Sequence, residues 1–127
     1  MDFDFSPEQL AFKEQVTRFA RKEIAPRAAQ HDLEARFDRE SFFRLGAFGI
    51  LGLHFPEEYG GSGADVVTTT LAGETLGECG VEGGLLLAYG AHTFLCADTI
   101  LAHGDAKQKE NYLPKLASGE WIGCMGL

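Results

Sequence analysis

The sequence predicts an all-α protein: a helical bundle of four to five helices, with the start of a β-strand at the C-terminus. Three observations lead to this prediction. Apolar residues recur at helical spacing over several segments, polar N-cap residues stand immediately before those segments, and short glycine-containing stretches separate them. The 127 residues are enough for one domain with a hydrophobic core of its own.

The first helix is predicted to begin after Ser6, where an N-cap serine, a proline at the first helical position and Gln9 suggest a capping box. Apolar residues then recur along one face, at Phe12, Val16, Phe19, Ala20 and Ile24. Pro26 interrupts this pattern, because proline lacks the backbone N–H that a helix interior uses. We therefore expect a kink at Pro26, after which the helix resumes.

A second helix is predicted from the cap Asp38 to about Ala47, and a third helix after the cap Asp65. The start of the third helix is ambiguous, because the β-branched residues of VVTTT favour a strand by propensity. The spacing of the apolar residues Val67 and Leu71, together with the cap, favours a helix.

The stretch from Leu85 to Ala102 is apolar on almost every side, which is typical of the buried helix of a domain. A membrane span is the alternative, since a stretch of about 18 residues is just long enough to cross a bilayer. His92 and Asp98 within the stretch, and the lack of basic residues beside it, argue against that alternative.

The last helix is predicted to begin after Asp105 and to run to about Ala117, since Gly104 ends the preceding helix. The final stretch EWIGCMGL, residues 120–127, has lost the helical spacing. We expect it to begin a buried strand.

The charge of the chain excludes several classes of partner. The sequence has 19 acidic and 11 basic residues, which gives a net charge of −8. A field of this sign repels phosphate backbones and anionic lipid surfaces. We therefore expect neither nucleic acid nor a membrane as a partner.

The cysteines and the N-terminus suggest a cytoplasmic protein. Cys79, Cys96 and Cys124 are odd in number and lack CxxC spacing, so we expect reduced thiols in a reducing compartment. The acidic start Met1-Asp2-Phe3-Asp4 has neither the apolar core of a secretion signal nor the basic amphipathic pattern of an organelle signal.

A glycine-rich stretch, Gly60-Gly61-Ser62-Gly63, raises the possibility of a phosphate-binding loop. Such a loop needs a lysine and a hydroxyl at its end, and no lysine follows before Lys107. The neighbouring acids Glu57, Glu58 and Asp65 would also repel a phosphate. The stretch is therefore predicted to be a tight corner between helices.

No other pattern indicates an active site within this chain. The four histidines are scattered without metal-ligand spacing, so no metal site is predicted. No GxSxG motif is present, and the cysteines lie in surroundings typical of structural thiols. The residues alone describe an acidic helical domain without chemistry of its own.

Three stretches, taken in order, resemble the N-terminal helical domain of the acyl-CoA dehydrogenase family. They are DFSPEQLAFKEQVTRFARKEIAPRAAQHD, LGAFGILGLHFPEEYGGSGAD with the family's PEEYGG signature, and HGDAKQKENYLPKLASGEW. The resemblance covers essentially the whole chain. It implies an N-terminal α-helical domain over residues 1–119 and the truncated start of a middle β-domain over residues 120–127.

The resemblance implies an FAD-dependent oxidoreductase of fatty acid metabolism. In this family a glutamate removes the α-proton of an acyl thioester such as acyl-CoA, while flavin N5 takes a hydride from the β-carbon, giving a trans-2-enoyl thioester. Electrons leave through an electron-transfer flavoprotein, and the usual homo-oligomer is a tetramer. The catalytic glutamate and the family's Thr-Glu-Pro segment would lie beyond Leu127, so no catalytic residue and only weak or absent FAD binding are expected here.

The resemblance also assigns site residues by position. Leu87, Ala91 and Leu95 match positions that line the acyl chain, and their spacing places them on one helix face. Core packing is the alternative role for such a stripe. Met125 and Leu127 match the segment beside the flavin and would approach it largely through backbone groups. In a chain without the other domains, Leu87, Leu95 and the C-terminal tail are expected to be partly exposed.

Two further functions remain open at this point. Relatives within the same family include flavin oxidases and dehydrogenases that act on carrier-protein thioesters. A chain of this composition could also be a stand-alone helical oligomerisation module that associates through its apolar helix.

Overall fold

The computed structural model describes residues 4–126. Seven α-helical segments are found there: α1 (Pro7–Phe19), α2 (Ala25–Leu33), α3 (Arg39–Phe48), α4 (Val66–Glu78), α5 (Gly83–Gly90), α6 (Asp98–His103) and α7 (Ala106–Ala117). Two π-helical turns, Ala20–Ile24 and Ala91–Ala97, join α1 to α2 and α5 to α6, and a short 3-10 turn covers Glu57–Tyr59. The joined segments give five helical bodies, so the predicted all-α bundle is confirmed.

The predicted start of a β-strand is not formed within residues 120–126, which have no regular secondary structure. A strand is stabilised by hydrogen bonds to a neighbouring strand, and residues 4–126 contain no such strand. The prediction is therefore corrected for the part of the tail that the structure describes.

The predicted N-cap residues cap the N-termini of four helices. The Ser6 hydroxyl accepts a hydrogen bond from the Gln9 N–H, and the Gln9 side chain accepts one from the Ser6 N–H, which completes the capping box. Asp38, Asp65 and Asp105 each accept from a backbone N–H three residues later. These bonds satisfy donors that a helix end would otherwise leave free.

Helix α4 forms although its first turns are rich in β-branched residues. The hydroxyls of Thr69, Thr70 and Thr75 donate to backbone carbonyls four residues earlier, so they are satisfied inside the helix. Leu71 and Leu76 are buried on the core side. Tertiary packing and the Asp65 cap therefore outweigh the strand propensity.

Just before Pro26, where a kink was expected, Ala20–Ile24 forms a π-turn between α1 and α2. A π-turn contains one extra residue, which lets the helix accommodate a proline without breaking. Val16 in α1 and Ala20 and Ile24 in the π-turn are buried, whereas α2 has no fully buried residue. The buried apolar face of this helical body therefore lies in α1 and the π-turn.

Two clusters of buried apolar residues form the core. The larger cluster joins α1, α3, α4 and α5, and includes Val16, Phe42, Leu45, Leu76, Leu85 and Tyr89. The smaller cluster joins the glycine-rich corner to the second half of the long apolar helix and to α7, through Phe55, Ala97, Leu113, Leu116 and Ala117.

A buried charge network ties α2 to the start of α3. Asp38 is 3% exposed, and its carboxylate accepts from Arg27 Nε at 2.8 Å, from the Ser41 hydroxyl at 2.5 Å and from the Ser41 N–H at 3.0 Å. Burial alone would raise the pKa of Asp38, but these hydrogen bonds and the Arg27 charge hold it well below its usual range.

Asp38→Asn is expected to destabilise the protein by about 2–3 kcal/mol at neutral pH, because it leaves the Arg27 guanidinium without its buried partner. The folded-state pKa of Asp38 is depressed, so its contribution is complete above the unfolded pKa of about 4 and falls as the pH drops further. Urea unfolding at pH 7 and pH 3 should show the difference between wild type and variant shrinking at the lower pH. Asp32→Asn, at an exposed position, is the control, and an equal loss for both variants would contradict this account.

Candidate functional site

The long apolar helix, Gly83–His103, is only partly covered by the rest of the chain. Leu87 is 75% exposed and Leu95 is 50% exposed, while Ala91 between them is half-buried. The expectation that this helix is buried is therefore wrong for one face. The partial exposure of Leu87 and Leu95 is confirmed.

This helix is also the one described segment that is long and apolar enough to cross a membrane, with 21 residues and a mean hydropathy of 1.5. The length and composition of one helix are weak evidence for a membrane span, because the core helix of a soluble protein has the same properties. About 28% of the apolar window is buried inside the structure.

The opposite face of the helix is fixed to α7 and to the C-terminal tail by His92. His92 is fully buried, its Nε2 lies 3.0 Å from the Leu116 carbonyl, and its Nδ1 accepts from the Gly123 N–H at 2.9 Å. Because Nδ1 is an acceptor, Nε2 carries the proton and donates to Leu116. Burial lowers the pKa of His92, which opposes the smaller raising effect of the Leu116 carbonyl.

The tail beyond α7 runs beside the long helix and forms a groove with it. The groove has a volume of about 240 Å³, and its walls include Leu95, Thr99 and Ile100 from the helix, with Cys124 and Met125 from the tail. Met125 is 41% exposed. Two of the predicted site residues, Leu95 and Met125, therefore meet in one groove.

The other predicted site residues lie elsewhere. Leu87 and Ala91 are on the same helix as Leu95 but towards its N-terminal end, outside the groove that contains Met125. Leu127 lies outside the described residues. Their proposed contacts with an acyl chain and a flavin stay predictions.

A second cavity of about 320 Å³ lies on another side of the long helix. The His54 Nε2 and an Asp98 carboxylate oxygen are in hydrogen-bond contact in its wall, beside Val66, Thr69 and Phe94. The Nδ1 atom of His54 is buried without a hydrogen-bond partner among the described residues. Sequence analysis missed this pair, because the two residues are 44 positions apart and no motif joins them.

The glycine-rich stretch forms the tight corner that the sequence predicts. Its backbone N–H groups point inward: Gly61 donates to Pro56, Ser62 and Ala64 donate to Leu53, and Gly63 donates to Phe55. These N–H groups are already used within the chain, so they are not available to an anion. Among residues 4–126, no group of three or more His, Cys, Asp or Glu side chains is placed to hold a metal ion.

The sequence profile described as "Acyl-CoA dehydrogenase, N-terminal domain" matches residues 6–120. A short-chain specific acyl-CoA dehydrogenase from Clostridium acetobutylicum is 43% identical over 128 residues, which cover 100% of this chain and 33% of the relative. A mitochondrial isovaleryl-CoA dehydrogenase from Arabidopsis thaliana is 40% identical over 97% of this chain and 30% of its own length. The chain spans about a third of the relatives it matches.

Solved structures show the same fold. Butyryl-CoA dehydrogenase from Megasphaera elsdenii superposes with a TM-score of 0.85 and 34% identity, over 96% of this chain and 32% of the other. The prolyl acyl carrier protein oxidase AnaB superposes with a TM-score of 0.88 and 34% identity, over 94% of this chain and 32% of its own. PigA with FAD and proline superposes with a TM-score of 0.89 and 28% identity, over 96% of this chain and 32% of its own.

Proposed function

Because this chain belongs to the acyl-CoA dehydrogenase family as its N-terminal helical domain, we propose that it forms one wall of the cleft where an FAD-dependent dehydrogenase holds an acyl thioester. The reaction proposed for the whole protein is α,β-dehydrogenation of the thioester to a trans-2-enoyl thioester. The relatives that support this proposal are three times as long as the chain. The remaining two-thirds would supply the catalytic base.

One observation supports this role most directly: Leu95, proposed for the acyl wall, and Met125, proposed for the flavin side, line the same groove. A groove lined by both residues supports the proposal, because the acyl chain and the flavin would have to lie close together there. The high exposure of Leu87 also argues against the alternative of core packing within this chain, because a core side chain is normally covered.

The described tail fits one apolar edge of an FAD site. Met125 is exposed at the groove, and the Gly123 backbone is held against the helix by His92. When bound, FAD supplies the hydride acceptor of the reaction. The part of this chain is to orient the acyl chain along Leu87, Ala91 and Leu95 and to keep water from that side.

The function is tested with the protein at its full natural length. We expect a purified protein with a flavin absorption spectrum, bleached on addition of an acyl-CoA substrate and reoxidised by an artificial electron acceptor. Straight and branched acyl-CoA thioesters of increasing length would define the substrate. A flavin-free protein, or a flavin that no acyl thioester reduces, would contradict the proposal.

Ala91→Leu tests the acyl wall. If the Ala91 methyl faces the acyl chain, the larger side chain shortens the pocket, so kcat/KM for the longest accepted thioester should fall by about tenfold or more. The value for the shortest substrate should change little. Ala106→Leu, at an exposed position on α7, is the matched control. An equal change for all chain lengths would show that Ala91 does not set chain length.

A second candidate keeps the fold but changes the reaction. The similarity to a prolyl acyl carrier protein oxidase favours testing carrier-protein thioesters, and oxygen as the acceptor, beside CoA thioesters. Oxygen consumption at the rate of substrate oxidation would support an oxidase. Dependence on an electron-transfer flavoprotein would support a dehydrogenase.

We also propose an oligomeric state and a cellular compartment for this protein. The exposed apolar face of the long helix supports homo-oligomerisation, and the family resemblance supports a tetramer. Sedimentation analysis tests it, and it also tests the alternative of a flavin-free oligomerisation module. Three free cysteines support a reducing compartment, so we propose the cytoplasm.

A further inference from the structure

Two of the three free cysteines line the groove between the long helix and the tail. Cys96 is half-buried on the helix, Cys124 is exposed on the tail, and both line the same groove. They are 28 positions apart in sequence, so only the fold brings them together.

The contact between these two segments is close. A Cβ atom placed on Gly123 would lie 2.5 Å from Cys96 Sγ and 2.9 Å from Cys96 Cβ, so the Cys96 side chain packs directly on the Gly123 backbone. Cys124 is the next residue, and consecutive Cα atoms are about 3.8 Å apart. A disulfide between Cys96 and Cys124 requires their Cα atoms to lie about 4.4–6.8 Å apart.

His92 holds the tail in this position. It lies four residues before Cys96 on the same helix, and its Nδ1 accepts from the Gly123 N–H at 2.9 Å. The residue before Cys124 is therefore held beside the helix, and the Cys124 backbone N–H lies within hydrogen-bonding reach of the Cys96 thiol.

We propose that Cys96 and Cys124 are a redox modification site, forming an intramolecular disulfide when the protein meets hydrogen peroxide. The inference goes beyond the proposed function, because it depends on no flavin, acyl thioester or turnover. The bond would tie the tail to the long helix on the wall of the groove that contains Leu95 and Met125.

The two thiols have different roles in the oxidation. Burial, together with the nearby Cys124 thiol, raises the pKa of Cys96 despite the opposing effect of the Cys124 backbone N–H, so less of Cys96 is thiolate than of an ordinary cysteine. Cys124 is exposed and meets the oxidant first. Its sulfur attacks one peroxide oxygen and becomes a sulfenic acid, while the other oxygen leaves as water.

The second step closes the bond. The Cys96 sulfur attacks the sulfenic sulfur of Cys124, and the sulfenic hydroxyl leaves as water with the Cys96 proton. Two thiols thus lose two electrons and two protons, and one hydrogen peroxide molecule takes them up to become two water molecules.

Cys79 is a control inside the same chain. Its half-buried thiol faces the backbone carbonyl of Thr17 at 3.9 Å, where the end of α4 meets α1. It does not line the groove that contains Cys96 and Cys124. Any oxidation that depends only on thiol reactivity would involve all three cysteines, whereas the proposed bond involves two.

Peptide mapping of the protein at its full natural length tests the proposal. Trypsin cleaves after Arg44, Lys107 and Lys115, which separates the Cys96 peptide, residues 45–107, from a Cys124 peptide that begins at residue 116. In a Cys79→Ser background the first peptide contains one cysteine. The protein is treated with hydrogen peroxide, its free thiols are alkylated, and it is digested without reductant.

We expect the two peptides joined at a mass about 2 Da below their sum, and separated again by dithiothreitol. Cys96→Ser and Cys124→Ser should each abolish the joined peptide, while Cys79→Ser should preserve it. A bond through Cys79, a bond between two copies of the Cys124 peptide, or Cys124 oxidised to sulfinic acid beside a free Cys96 would each overturn the proposal.

Discussion

His92→Leu is expected to destabilise the protein by about 3 kcal/mol. The substitution removes the partner of two backbone groups, the Leu116 carbonyl and the Gly123 N–H, in the region where the long helix, α7 and the tail meet. A buried polar group without a partner costs about 1–3 kcal/mol. The leucine is similar in volume to the imidazole, so the lost hydrogen bonds dominate the effect.

His92→Gln separates hydrogen bonding from packing. A glutamine amide offers one donor and one acceptor, as the neutral imidazole does, so it should recover part of the lost stability. Urea unfolding at pH 7.5 gives the free energies of unfolding of the three proteins. Equal stability of the leucine and glutamine variants would contradict the assigned hydrogen bonds.

The pH dependence gives an independent test of His92. Its pKa is lowered in the folded state, so the unfolded chain takes up a proton first as the solution becomes acidic. The stabilising contribution is complete above the unfolded pKa of about 6.5 and is lost as the pH falls from there towards the folded pKa. Wild type should lose stability between pH 7.5 and pH 5.5, and the glutamine variant should lose less over the same range.

Local signals explain why the helix starts were predictable. Ser6, Asp38, Asp65 and Asp105 form caps with backbone groups three residues away, so the pattern and the hydrogen bond occupy the same short window. The helical identity of α4 followed from its spacing, although its residue propensities favoured a strand. Information of this kind is contained within one turn of helix.

Long-range contacts explain what was not predictable. His92 was noted only as a polar interruption, because its partners are 24 and 31 positions away. The His54–Asp98 pair likewise joins residues that no motif links. The exposure of Leu87 followed from a family resemblance and not from hydropathy, since hydropathy does not tell a covered apolar face from an uncovered one. The prediction of the site residues therefore relied on family resemblance more than the prediction of the fold did.

Gly61→Ala is expected to destabilise the protein by about 3 kcal/mol or more. A Cβ atom at this position would lie 2.1 Å from the Phe55 carbonyl oxygen and 2.4 Å from the Gly52 carbonyl oxygen. Both neighbours are backbone atoms, so no side chain can rotate to relieve the overlap. Moving Phe55 would disturb the smaller core cluster and the hydrogen bond from Gly63, which makes the cost of overpacking unusually high.

Two other glycines separate this steric effect from the effect of backbone conformation. Gly63 has φ +63° with open space around it, so Gly63→Ala should cost only about 1 kcal/mol of conformational strain. Gly90 lies in a helix with open space, so Gly90→Ala should stabilise by about 0.5–1 kcal/mol. Thermal and urea unfolding of the three variants should give this order. If Gly61→Ala unfolds within about 0.5 kcal/mol of wild type, the corner relaxes around a side chain, and the glycine there is required neither by packing nor by the fold.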